Sequence, residues 1–408
     1  MTRVVVVGAG IIGSSISFQL ARRGVDVVAL DKGAGPSEGS TGASSSICRC
    51  RYTFPEVVRL ALHGQEAYGA WSEFTGLSEP RSGLYRVGVV WFTGSDRASV
   101  EADAAKLVSQ GVDAEILTPE DLKRIYPSLN DCGEPYDLTG ETEHECRPAE
   151  AFLYEPRGGY ADPSGANQDL IEATRQRGGE VRFNAKVVSV LEEGGRVTGV
   201  KLADGSTVTG DLVVNASGPW CNQLNAMAGV DVRWTLTPTR IQTVYRSWDP
   251  DLGRLPVGAD TSTGIYFRPE TGGQSLLVGS VLPEDEEEVV DDPDDFKRTP
   301  DAEFQTMKLA SFHHRVPALE ARGQVSGIAG LYTINREDVH PIVGPSGKDG
   351  FWLANGFSGH GFKLAPAIGS MVARAVAGET IEFDTDVPMS FFAVDREPLQ
   401  LAVKHVLA

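Results

Sequence analysis

Residues 4–13 read Val-Val-Val-Val-Gly-Ala-Gly-Ile-Ile-Gly, and few folds accommodate that order. The apolar run Val4 to Val7 predicts a parallel strand buried on both faces. Gly8 permits a tight turn, Gly10 lets backbone approach a pyrophosphate, and Gly13 lets a helix pack against the strand. Ile11 and Ile12 open that helix, which Ile16 and Leu20 continue to Arg23, with Gly24 closing it. Free N–H groups at its start suit an anion. Val25 to Leu30 predicts a second strand, ended by Asp31 with Lys32 after it. The Asp31 carboxylate suits ribose hydroxyls and would repel a 2′-phosphate. The unit predicts a dinucleotide site and leaves NAD and FAD both open.

Composition removes other classes. The chain has 408 residues and a net charge of −19, which argues against nucleic acid and anionic membrane surfaces. Nine of those acids fall within Glu284 to Asp295, a block that reads as a solvated loop, with a surface for a basic partner as the alternative. The cysteines are Cys48, Cys50, Cys132, Cys146 and Cys221. No CxxC occurs, and neither Cys48-x-Cys50 nor His144-x-Cys146 makes a four-ligand set, so no metal is expected. Small apolar filling is the expected role of Cys48 and Cys50, with a redox pair as the alternative. No apolar run reaches membrane-spanning length and no signal peptide is read, so a cytoplasmic protein is expected.

Residues 33–48 are small and polar, a long loop of the kind usually kept for function. Helices are expected over 55–74, 96–110, 119–127, 163–177 and 364–377. Strands are expected over 84–92, 181–191, 196–202, 211–215, 325–334 and 351–354. Residues 232–282 predict an antiparallel sheet. The chain is therefore α/β (α+β), a Rossmann-like unit with a second, mainly antiparallel β-sheet unit.

One GxGxxG means one ADP-type site, so electrons come from a substrate lying directly against the bound cofactor. Residues 355–363 (NGFSGHGFK) make a second glycine turn at a helix start. A reduced flavin carries negative charge that such a turn, with Lys363, could stabilise.

NGFSGHGFKLAPAIG resembles the C-terminal signature of the sarcosine oxidase and D-amino acid oxidase superfamily. GSTGASSSICRCRY resembles its flavin-contacting loop, DLVVNASGPW its second FAD motif and GGYADP its mid-chain marker. The resemblance implies a discontinuous FAD domain over 1–83, 151–225 and 326–408, and a substrate domain over 84–150 and 226–325. It places Gly8, Gly10, Ile11, Ile12, Gly13, Asp31 and Lys32 at the ADP, Val187 at the adenine, and Ser217, Gly218 and Trp220 in the second motif. Thr41, Ser45 and Ser46 fall along the flavin, and Gly359, His360, Gly361, Phe362 and Lys363 at its pyrimidine.

In sarcosine oxidase-like enzymes an Arg and a Lys hold the substrate carboxylate; these correspond to Arg49 and Lys363, with Arg51 as a nearby competitor. A fork donor and a point charge suit a carboxylate. The resemblance implies oxidation of the C–N bond of an N-methyl or other secondary amino acid, hydride passing to flavin N5 and the imine hydrolysing. His360 is given a positioning role beside the chemistry, and Tyr266 is a further candidate. The alternatives are a primary D- or L-amino acid or a 2-hydroxy acid as substrate, and a non-catalytic flavoprotein subunit or assembly factor.

Two departures from the family bear on the chemistry. The segment matching the family's tether Cys, Ile328 to Thr333, has none, and no His precedes His63, so non-covalent FAD is expected. The strand matching the family's oxygen-activating Lys, Gly264 to Arg268, has no Lys, with Arg268 as the substitute cation. The electron acceptor, oxygen or a carrier, stays open.

Overall fold

The computed structural model describes residues 2–94, 96–137, 143–270, 272–320, 323–405 and 407. Val4–Val7 is buried on both faces as its unbroken apolar run requires, and it forms the middle of a six-stranded sheet. Across that sheet the strands run Ile342–Pro345, Phe351–Asn355, Leu212–Asn215, Arg3–Val7, Asp26–Leu30 and Glu180–Arg182. All neighbours are parallel except the first two. Val5 stands opposite Val213 on one side and Val28 on the other, which brings the ends of three chain segments to one edge.

Two helices clamp the helix Ile11–Arg22. Ser15 Oγ donates to the Ala365 carbonyl at 2.7 Å, and a Cβ on Gly369 would sit 2.6 Å from the Ser15 carbonyl oxygen. On the other flank Asn167 Nδ2, from the helix Pro163–Gln176, donates to Ala9 O at 3.0 Å. The expected helix over 55–74 is two helices, Pro55–Gly69 and Trp71–Thr75. The first packs on the start of the helix Gly361–Ala377 so closely that a Cβ on Gly64 would lie 1.8 Å from Lys363 O.

A second sheet has eight strands, in the order Val325–Asn335, Leu236–Ser247, Ser275–Ser280, Ile265–Pro269, Val257–Asp260, Val89–Phe92, Phe152–Glu155 and Glu115–Leu117. It is antiparallel apart from the pair Val257–Asp260 and Val89–Phe92. Phe152–Glu155 and the end of Val325–Asn335 extend past the sequence-read limits at 150 and 325. The helix Ala302–Arg315 covers one face, with Phe312 against Phe267 at 5.2 Å.

Two readings need correction. The strand expected over 181–191 is two strands in different sheets: Glu180–Arg182 joins the first sheet, and Val187–Glu193 joins a separate three-stranded one. Asn184, with φ +54°, turns the chain between them. The acidic block 284–295 is also not simply solvated. Asp285 pairs with Lys308 at 2.7 Å and Glu288 with Arg240 at 2.7 Å, both cations nearly buried. Asp294 pairs with Lys32. The like charges are held together by cations that come from elsewhere in the chain. Among the described residues no helix is long and apolar enough to cross a membrane.

Candidate functional site

The N-terminal turn can be built only from glycine. Gly8 has φ +104°, and a Cβ there would lie 2.4 Å from the Ala216 carbonyl oxygen. A Cβ on Gly13 would lie 1.8 Å from Gly8 O. Thr41 Oγ1 accepts from the Ile11 N–H at 3.0 Å, which ties the long polar loop to the helix start. The two Asp31 oxygens accept from Ala9 N at 2.7 Å and Gly33 N at 2.8 Å. Each oxygen keeps a second lone pair for a hydroxyl.

One cleft runs from this turn to the second glycine turn. At the near end it is lined by Gly8, Gly10, Ile11, Ile12, Asp31 and Lys32, with Val187, Ser217, Gly218 and Trp220 on the opposite wall. Lys32 lies over the Trp220 ring at 3.8 Å and pairs with Asp294, so it closes the wall. Thr41 lies between the ends, and Gly359, Gly361 and Phe362 line the far end. There Gly356 and Gly359 have φ +72° and +83°, and the helix begins at Gly361. A cradle with glycine backbone at both ends and a strand-end acid suits a long dinucleotide.

Several expected residues stand outside that lining. Gly13 serves helix packing. Ser46 Oγ donates to Ala161 O at 2.5 Å, so its hydroxyl is committed, and Ser44 lines the cleft in its place. Ser45 O accepts from Arg268 Nε at 2.6 Å. His360 stands at the N-cap position with no side-chain cap bond and is fully buried, its ring edge-on to Tyr52 at 5.3 Å and to His340 at 5.6 Å. Lys363, one turn further, is also behind the lining. Leu331, Tyr332 and Thr333 also line the cleft, from the segment matched above to the family's tether position.

Behind the glycine turn lie two buried cations. Arg49 is 4% exposed and Lys363 6%. The Arg49 guanidinium stacks over Tyr52 at 4.3 Å and near Trp91 at 5.2 Å, and it donates to the Arg51 carbonyl. Arg51, the competitor, is turned to Asp103 at 2.6 Å. Burial, with the Arg49 charge second, pushes the Lys363 ammonium down to about 7. Burial pushes the Cys48 thiol up to about 12 and Cys50 well above its usual range, which favours filling over redox work.

Glu155 carried no sequence signal. It is 1% exposed and accepts from Cys50 N at 2.6 Å, Arg51 N at 3.3 Å and Trp91 Nε1 at 2.9 Å. Burial raises its carboxyl pKa, while those donors and Arg49 oppose the shift. Glu155 thereby fixes the loop that carries Arg49. Tyr266 lies flat on Gly279, where a Cβ would be 2.2 Å from the ring, and burial holds its phenol at about 12. Arg268 is paired with Glu270 at 2.7 Å and lies over Tyr160 at 4.5 Å.

A family model described as DAO, FAD dependent oxidoreductase, matches residues 3–375. FAD-dependent oxidoreductase domain-containing protein 1 of Xenopus laevis is 26% identical over 410 residues, 91% of this chain and 78% of that protein. The 4-methylaminobutanoate oxidase (formaldehyde-forming) of Paenarthrobacter nicotinovorans is 29% identical over 388 residues, 94% of this chain but 44% of that protein. Among solved structures, L-proline dehydrogenase from P. horikoshii superposes with a TM-score of 0.80 at 26% identity, covering 96% of each chain.

Proposed function

The chain belongs to the DAO family of FAD-dependent oxidoreductases, and from that premise we propose that it oxidises the C–N bond of a secondary amino acid whose carboxylate is held by Arg49 and Lys363. The observation that carries this reading is the pair of buried cations behind the glycine turn. Both cations are buried, and burying two like charges side by side favours an anion between them. A substrate carboxylate supplies that anion with a fork contact and a point charge. The names of two similar proteins support the amine class: one acts on a methylamino acid and the other on proline.

When bound, FAD supplies the two-electron acceptor. Gly8, Gly10 and Asp31 hold its ADP half, and Thr41 and the 356–361 turn its other half. The chain's own work is then binding and orientation. Glu155 fixes the Arg49 loop, His360 stands at the N-cap position of the helix that carries Lys363, and Tyr266 keeps a neutral phenol packed on Gly279. Arg268 is committed to Glu270, which supports an acceptor other than oxygen.

The amine class is tested by mixing anaerobically with N-methyl, cyclic secondary and primary amino acids. Bleaching of the flavin band by the first two is expected; bleaching by primary amino acids alone overturns the reading. The cofactor is held without a covalent link, since the cleft lining contains no Cys or His among the described residues. Acid precipitation should therefore leave the yellow colour in solution, and a coloured pellet would refute this.

Carboxylate binding should also depend on pH. With the Lys363 pKa lowered to about 7, its charge is present below that pH and lost above it. Acetate, which has no amine to titrate, isolates this effect. Its dissociation constant, read from the flavin spectrum, should be flat near pH 6 and rise above pH 7 by up to about tenfold per pH unit. Lys363→Met should flatten the profile. A wild-type constant that does not change to about pH 9 would remove Lys363 from the carboxylate site.

A further inference from the structure

Outside the cleft lining, three metal-ligating side chains converge, and a cysteine stands beside them. We propose that Cys132, His144, Cys146 and His314 bind one Zn²⁺ that pins residues 130–137 and 143–149 to the helix Ala302–Arg315. The ligand atoms of Cys132, His144 and His314 lie within 4.8 Å of one another. Cys132 Sγ is 3.5 Å from His144 Nε2. Tetrahedral zinc, with Zn–S near 2.3 Å and Zn–N near 2.0–2.1 Å, sets that edge at about 3.6 Å. The Cys146 thiol donates to Asn130 Oδ1 at 3.6 Å, the same oxygen that accepts from Cys132 N. With Cys146 as the fourth ligand, two sulfurs and two imidazoles would complete a structural zinc set of soft, tetrahedral coordination.

The surroundings are built around this cluster. Asn130 Nδ2 donates to His314 O at 3.1 Å, and its Oδ1 accepts from Cys132 N at 2.9 Å. Arg315 Nη1 donates to Cys132 O at 3.0 Å. Tyr136 stacks on the His314 ring at 4.2 Å and meets His144 edge-on at 5.2 Å. His314 Nε2 is buried and has no hydrogen-bond partner among the described residues, which a bound metal would explain. A backbone bridge between Cys132 and Pro148 brings the second cysteine back to the first.

The segment also has reason to need a staple. Between the helix Pro119–Ile125 and the strand Phe152–Glu155 the described residues form no regular element. Segments of that length are uncommon unless functional or disordered. Binding would displace the two thiol protons to solvent as the thiolates take the metal, tying its free energy to the order of the segment.

The test uses the full flavoprotein, purified under reducing conditions, incubated with Zn²⁺ or Co²⁺ and desalted. One metal per chain is expected by mass spectrometric metal analysis, and the Co²⁺ form should show tetrahedral bands with thiolate charge transfer. Cys132→Ser and His314→Asn should each lose the metal while retaining flavin. Cys146→Ser should weaken the charge-transfer band by about half, since one of two thiolates is lost. Wild-type protein that retains flavin but holds no stoichiometric metal overturns the proposal. So does a Cys132–Cys146 disulfide as the only metal-free state found by peptide mapping, or an unchanged spectrum in Cys146→Ser.

Discussion

Arg49→Ala is expected to lower kcat/KM for carboxylate-bearing amines by two to three orders of magnitude, about 3–4 kcal/mol. The size follows from burial. Arg49 is 4% exposed, packed between Tyr52 and Trp91, on a loop whose backbone Glu155 holds at Cys50 and Arg51. Water cannot readily replace the lost guanidinium. Arg49→Lys should recover only part of the loss, because a point charge cannot make the fork contact. The informative comparison is an amine lacking the carboxylate. Its kcat/KM should change little between wild type and Arg49→Ala, with flavin content equal. A similar loss on both substrates would mean that Arg49 supports the fold rather than the carboxylate. A second consequence follows from the pair. Arg49 helps depress Lys363, so Arg49→Ala should move the pH break in acetate binding upward.

What was legible in the chain divides along the range of the interactions. The Gly8–Gly13 turn, its helix and Asp31 are local, and each residue's steric or charge demand is visible in ten to thirty residues of sequence. The placement of Arg49 and Lys363 rested on family resemblance, since nothing local distinguishes a buried loop Arg from a solvated one. Glu155 was invisible because its work is done on backbone N–H groups that the second sheet brings to it from the first loop. The acidic block failed for the same reason in reverse. Its pattern is that of a solvated segment, and Arg240, Lys308 and Lys32 neutralise it only after folding. Asn184 broke an apparently continuous strand through a left-handed conformation that the β-forming neighbours mask. The cysteine–histidine cluster likewise needed His314, which a reading by spacing could not connect to Cys132.

Asp260→Ala is expected to cost about 3–5 kcal/mol, a large share of the roughly 5–15 kcal/mol that keeps a domain folded. Asp260 and Arg315 form an ion pair at 2.8 Å in which both side chains are fully buried. Asp260 Oδ1 also accepts from Ser262 Oγ at 2.6 Å and from Thr263 N at 3.2 Å. Arg315 lies over Phe92 at 4.1 Å and donates onward to Asn130 and Cys132 carbonyls. Removing the carboxylate leaves a guanidinium in the core without its counter-ion, which is why one truncation costs more than the pair is worth. The double variant Asp260→Ala/Arg315→Met should therefore recover part of the loss, with an interaction energy between the two sites of about 1–3 kcal/mol. It should not recover fully, because the Asn130 and Cys132 carbonyls lose their donor. Urea midpoints of the four proteins, followed by intrinsic fluorescence, measure this directly. Additive single and double variants would show that the two groups are stabilised by separate partners, and the pair would then not be what holds the helix Ala302–Arg315 to the 130–132 segment.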